Sequence, residues 1–103
     1  MAFEAACAVD DVWAGELLSR RVGGRKVLLA CVDGRILAYE DRCAHLGVPL
    51  TAGRLSGNVL TCSAHLWEYD LGTGQGRNPA TVCLRRFAVR VDAGQVLVDV
   101  EHA

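Results

Sequence analysis

Lys26-Val27-Leu28-Leu29-Ala30-Cys31-Val32-Asp33-Gly34-Arg35-Ile36-Leu37-Ala38-Tyr39-Glu40 reads as two strands joined by a turn. Asp-Gly between two apolar runs is among the strongest short-range hairpin signals. The two-residue turns whose twist matches paired strands need positive φ at their centre, which these residues tolerate. The same pattern repeats outward from this stretch. Gly23-Gly24 separates residues 16–22 from the 26–32 run, and Ala93-Gly94 separates residues 84–91 from 95–100. Residues 84–91 alternate: Leu84, Arg86, Ala88 and Arg90 on one side, Arg85, Phe87, Val89 and Val91 on the other. Val96, Val98 and Val100 then share one face. Residues 3–7 read as a first strand and Asp10 to Trp13 as a turn with an aspartate cap. Residues 58–62 follow the turn Ser56-Gly57, and residues 66–70 are short and mixed. No window carries a 3.6-residue apolar repeat. The expected class is all-β, an antiparallel sandwich or small barrel.

The chain has 103 residues with a net charge of −1, which suits one small domain over residues 1–103. Eleven basic against twelve acidic residues give no basic excess, so nucleic acid is not an expected partner. The longest apolar runs are too short to cross a bilayer, and no leader-like start is seen. A cytoplasmic, monomeric protein is the expectation. Five cysteines in such a setting do not form a disulfide framework.

Two stretches break the strand rhythm, residues 41–53 and 62–79, and long irregular stretches in a small domain are usually functional. The first contains Cys43-Ala44-His45 and the second Cys62-Ser63-Ala64-His65, with sixteen residues between His45 and Cys62. Two of the three histidines of the chain thus sit beside cysteines. Two thiolates and two imidazoles from two loops can hold one zinc ion or one [2Fe–2S] cluster. The Cys-x-His pair is tight for a single tetrahedral zinc. A two-iron cluster divides the set, both cysteines on one iron and both histidines on the other. A colourless, zinc-stabilised interaction module is the alternative from a different class.

Cys43-x-His45 followed by Cys62-x-x-His65 resembles the cluster motif of the Rieske [2Fe–2S] family. The resemblance extends over almost the whole chain. Asp10-Asp11-Val12-Trp13-Ala14-Gly15-Glu16, Ala64-His65-Leu66-Trp67 and Gly72-Thr73-Gly74-Gln75-Gly76-Arg77-Asn78-Pro79 resemble the ferredoxin components of toluene-type monooxygenase systems. It implies a Rieske fold, in which a β-sandwich carries a cluster-binding subdomain built from the two loops. It also implies one Rieske cluster on Cys43, His45, Cys62 and His65, and no catalysis by the chain alone. Single electrons would pass from an NADH-dependent flavin and iron–sulfur reductase to a diiron hydroxylase of aromatic hydrocarbons, both transient partners. The runner-up is the ferredoxin of a ring-hydroxylating dioxygenase.

Charge explains what histidine changes. Four thiolates leave an oxidised two-iron cluster dianionic, whereas two thiolates and two neutral imidazoles leave it neutral and easier to reduce. Rieske potentials therefore span roughly −150 to +300 mV, above plant-type ferredoxins at about −400 mV. The high-potential Rieske proteins carry a disulfide at the positions of Val48 and Ala64 and a serine hydroxyl at the position of Trp67. Only the tyrosine, Tyr69, matches them. Fewer donors to cluster sulfur imply the low end of the range. Leu46 and Trp67 flank the ligands and serve either to shield the cluster or to meet a partner. Glu40, Asp41 and Glu68 read as solvated loop charges or as guides for a basic partner surface. Cys7, Cys31 and Cys83 read as core thiols.

Overall fold

The computed structural model describes residues 3–42, 49–63, 67–78 and 83–100. Its centre is the hairpin of β3 (Arg25–Val32) and β4 (Arg35–Glu40), in register from Val27↔Glu40 to Val32↔Arg35. Asp33 and Gly34 both adopt positive φ, 53° and 76°. This is the geometry that lets a two-residue turn follow the twist of the strands. Gly23-Gly24 turns β2 (Leu17–Val22) into β3 in the same way, and Ala93-Gly94 turns β9 (Arg86–Asp92) into β10 (Gln95–Asp99). β1 (Glu4–Ala8) adds to β10. A 3-10 turn, η1 (Val9–Asp11), leads away from β1; the Asp11 carboxylate accepts the Ala8 N–H at 3.2 Å.

These six strands form one antiparallel sheet, order β1-β10-β9-β4-β3-β2, whose edge strands β1 and β2 approach one another so that it nearly closes. A second antiparallel sheet holds β5 (Arg54–Ser56), β6 (Val59–Thr61), β7 (Glu68–Asp70) and β8 (Gly76–Asn78) in that order. A 3-10 turn, η2 (Leu50–Ala52), precedes β5.

Two cores follow from the period-two alternation of the central hairpin. Val27, Leu29 and Ala38 face the interior of the curled sheet with Val22, Phe87, Val96, Val98 and Val100. Leu28, Ala30, Val32, Leu37 and Tyr39 face the other way, onto Leu50, Leu60, Cys62, Tyr69, Leu71 and Leu84 of the smaller sheet and its flanks. β3 is buried on both faces, and for that reason its sequence is a continuous apolar run rather than an alternating one. Tyr39 links the layers: its hydroxyl donates to the Leu71 carbonyl, and the tight turn at Gly74 leaves room only for hydrogen against its ring.

The all-β expectation holds, with three corrections. Residues 62–79 are not one irregular stretch, because β7 and β8 run through them among the described residues, with a turn at 71–75 between them. Three-residue strands of mixed polarity carry too few alternations to be read from sequence. For the same reason β5 follows the first loop where no strand was expected. Val91, on the expected apolar side of β9, is exposed near the end of the strand, although its cross-strand partner Val96 is buried.

Candidate metal centre

Of the four expected ligands the described residues include Cys62; Cys43, His45 and His65, together with Leu46, lie outside them. What the structure defines is how the bases of the two loops are built and joined.

Asp41 holds the first loop. It follows β4, is 4% exposed, and lies two residues before Cys43. Its carboxylate accepts three hydrogen bonds: from Thr51 N–H at 3.0 Å, Thr51 Oγ1 at 2.9 Å and Ser19 Oγ at 3.0 Å. Its own N–H donates to the Lys26 carbonyl at 3.0 Å. One carboxylate thus ties residues on either side of 43–48 to each other and to β2. Bonds to an ionised acceptor are stronger than neutral ones, and three of them meet the cost of burying the charge. The expectation that Asp41 is a solvated charge or a partner guide is therefore corrected: it is an internal clamp. An Asp before and a Thr after a loop carry no sequence mark of their pairing.

Cys62 begins the second loop. It is fully buried, directly after β6. Its N–H donates to the Trp67 carbonyl at 2.7 Å, one step beyond the pair Thr61↔Glu68, and so closes the β6–β7 connection. Trp67 is half-buried against the core cluster that contains Cys62, which makes the indole a packing group. Tyr69 is wholly buried opposite Leu60. Glu68 is half-buried.

Gly53 joins the two bases. A Cβ there would lie 2.2 Å from the Thr61 carbonyl oxygen and 3.1 Å from that of Leu50, so only glycine lets η2 approach the end of β6 this closely. Beside the contact a hollow of about 450 Å³ is lined by Ala52, Gly53, Arg54, Thr61, Cys62 and Ser63. No carboxylate lines it among the described residues. A buried thiol at the joined bases of two loops fits a soft, thiolate-bound iron–sulfur group and not a hard, oxygen-bound cation.

Charge around the first loop is mostly basic. Glu40 is half-buried and shared between Arg25 and Arg85, at 3.8 and 3.9 Å. The other cysteines are not alike. Cys7 and Cys31 pack against the interior of the curled sheet, and burial pushes the Cys7 thiol above its ordinary range. Cys83 is exposed, contrary to the expected core role, because it lies before β9 in an isolated bridge to Gln75 at the rim.

Residues 2–88 match the Rieske [2Fe-2S] domain family. The chain belongs to the Rieske [2Fe–2S] family. One Rieske [2Fe–2S] cluster is accordingly its cofactor, which removes the zinc module. The ferredoxin component of the alkene monooxygenase system of Xanthobacter autotrophicus (strain ATCC BAA-1158 / Py2) is 46% identical over 96 residues, covering 92% of this chain and 79% of that protein. The biphenyl dioxygenase ferredoxin subunit of Pseudomonas sp. (strain KKS102) is 36% identical over 106 residues, covering 100% of this chain and 96% of that protein. Among solved structures, a chain of the complex of reduced oxygenase and oxidised ferredoxin in carbazole 1,9a-dioxygenase superposes with a TM-score of 0.87. It is 32% identical, over 98% of this chain and 95% of that one. These relatives are electron-transfer components of oxygenase systems, and the Rieske chain described here is of that kind, not a catalyst by itself. Among the described residues no helix is long and apolar enough to cross a membrane.

Proposed function

We propose that this Rieske chain is the cytoplasmic ferredoxin of a diiron hydrocarbon monooxygenase. It carries single electrons from an NADH-dependent flavin and iron–sulfur reductase to the hydroxylase. Cys43 and Cys62 are assigned to one iron, His45 and His65 to the other. The supporting observation is the 46% identity to an alkene monooxygenase ferredoxin component, joined to a buried Cys62 at the point where the loop bases meet. That relative moves the emphasis from toluene-type hydroxylases to hydrocarbon monooxygenases in general.

When bound, the cluster would supply a one-electron redox couple, and two neutral imidazoles in place of thiolates would make it easier to reduce than an all-cysteine cluster. The protein residues orient and shield. The Asp41 clamp sets where the first loop leaves the sheet, Cys62 supplies a thiolate from an apolar base, and Trp67 covers that base. Tyr69 is assigned the hydroxyl donor that the family resemblance implies. Removing it in Tyr69→Phe lowers the potential, since a donor to cluster sulfur favours the reduced state.

The test is iron, sulfide and zinc analysis of the purified protein, with optical and EPR spectra before and after dithionite. Two irons and two sulfides, with a rhombic reduced signal of average g below that of all-cysteine clusters, support the carrier. Loss of that signal in Cys62→Ser and Cys43→Ser supports the ligands; a normal cluster in either variant removes that residue from the set. The ring-hydroxylating dioxygenase reading is favoured by the 36% identity over the full chain to a biphenyl dioxygenase ferredoxin subunit. Turnover with a diiron hydroxylase but not with a dioxygenase terminal component decides between them.

A further inference from the structure

Two hollows flank the base of the first loop. One, of about 270 Å³, is lined by Arg25, Lys26, Glu40, Asp41, Arg42 and Pro49. The other, of about 230 Å³, is lined by Glu40, Arg42, Cys83, Leu84 and Arg85. Both share Glu40 and Arg42, so they adjoin across these two side chains as a two-part cleft. Its walls come from the start of β3, the end of β4, the approach to β9, and the residues that bracket 43–48.

The cleft carries four cations, Arg25, Lys26, Arg42 and Arg85, all exposed. Its two carboxylates do not balance them. Asp41 is buried and spent on three hydrogen bonds. Glu40 is split between two guanidiniums at the long end of ion-pair distance. Lys26 and Arg42 have no acidic partner among the described residues. The Arg85 guanidinium lies 5.7 Å from the centre of the Phe87 ring, which fixes it at the rim. A locally positive cleft thus stands on a chain whose net charge is −1. Such local fields steer encounter independently of net charge.

The geometry points to this cleft as the docking surface for a carboxylate-rich face of a protein electron-transfer partner. Partner carboxylates complete the coordination that Glu40 provides only in part, at Arg25 and Arg85, and supply the counter-charges that Lys26 and Arg42 lack. The site includes Asp41, Arg42 and Pro49, which flank residues 43–48 in sequence. The inference rests on the electron-carrier reading above, and it differs from the alternative in which acidic residues near the ligands guide a basic partner.

The experiment follows oxidation of the dithionite-reduced holoprotein by two surrogate protein acceptors, plastocyanin with its acidic surface and cytochrome c with its basic one, as salt is raised to about 0.2 M. A positive cleft makes the plastocyanin rate fall with salt by about tenfold; the net charge of −1 alone makes it rise. Lys26→Glu with Arg42→Glu reverses the slope for plastocyanin and accelerates cytochrome c. Arg25→Gln with Arg85→Gln, which introduces no new acid, flattens it. The potential of each variant is measured alongside, so that a driving-force change is separated from docking. A plastocyanin rate that rises with salt, or slopes unchanged in both variants with the cluster intact, overturns the docking surface alone. A protein with no dithionite-reducible cluster overturns the carrier reading and the docking surface with it.

Discussion

At the scale of single residues, two buried polar groups set the loop and the layers. Asp41→Ala removes one acceptor from three donors and leaves the Thr51 N–H and two hydroxyls to find water at a part-buried site. The expected loss is about 2–4 kcal/mol in urea unfolding. Ser19→Ala removes one of those bonds and costs about 1 kcal/mol. Equal losses for the two variants remove the clamp. Tyr39 gives the pH dependence. Burial pushes its phenol above the ordinary value of about 10, the nearby Arg86 and Arg35 opposing and Asp70 adding to the rise. The folded pKa is therefore above the unfolded one. The stabilisation is complete below pH about 10 and is lost as pH rises through the folded value, at about 1.4 kcal/mol per pH unit. Tyr39→Phe removes that alkaline slope, and leaves the Leu71 carbonyl without its hydroxyl donor at a cost of about 1–3 kcal/mol. An alkaline limb equally steep in Tyr39→Phe assigns the slope to another group.

At the scale of elements, the decisive contact is η2 against the end of β6. In Gly53→Ala the new methyl meets the Thr61 carbonyl at 2.2 Å, and backbone, not a flexible side chain, must yield. Separating η2 from β6 parts the two loop bases, so about 1–3 kcal/mol of stability and part of the iron content go together. Gly57→Ala is the control. Its φ is +61°, with open space around the added carbon, so it loses stability through backbone strain and keeps full iron content. Unchanged iron content in Gly53→Ala as well makes the contact dispensable. The elements also show what was legible in the sequence. The hairpins were, because Asp33-Gly34 and Gly23-Gly24 are local signals whose physics lies within four residues. The period-two faces were legible as far as Val89 on β9, and through Val96, Val98 and Val100 on β10 and just past it. The three-residue strands β5 and β8 were not, because they exist through pairing with β6 and β7 and have no pattern of their own. Asp41 and Gly53 were not, because each takes its role from a partner ten or eight residues away. The Cys and His pattern announced the centre by residue type and spacing, yet spacing alone left zinc and iron–sulfur open until the family match decided the cofactor.

At the scale of the whole molecule, the two cores differ in what they owe to the cluster. Among the described residues, the interior of the curled sheet does not include Cys62 and is closed by Val27, Leu29, Phe87, Val96 and Val98, all essentially buried. The inter-sheet core contains Cys62 itself, and it is completed by Leu50 on η2 and by Trp67 and Tyr69 on the far side of the second loop. Ligation by the four assigned residues would tie the two loops to one group and so restrain the elements at their bases, a restraint that the interior of the curled sheet does not need. Stability is therefore unevenly distributed, and removal of iron should expose the difference. In hydrogen exchange of iron-loaded and iron-free protein, amides of β5 to β8 lose protection first, while β3, β4, β9 and β10 keep most of theirs. Far-ultraviolet circular dichroism retains the larger sheet, and the thermal midpoint falls. A uniform loss of protection across both sheets contradicts this division, because it makes the cluster a support of the whole barrel. Retained protection in β5 to β8 contradicts it from the other side, because then Leu60, Tyr69 and Leu71 hold the smaller sheet by apolar packing alone, and the Gly53 contact fixes the loop bases before any iron arrives.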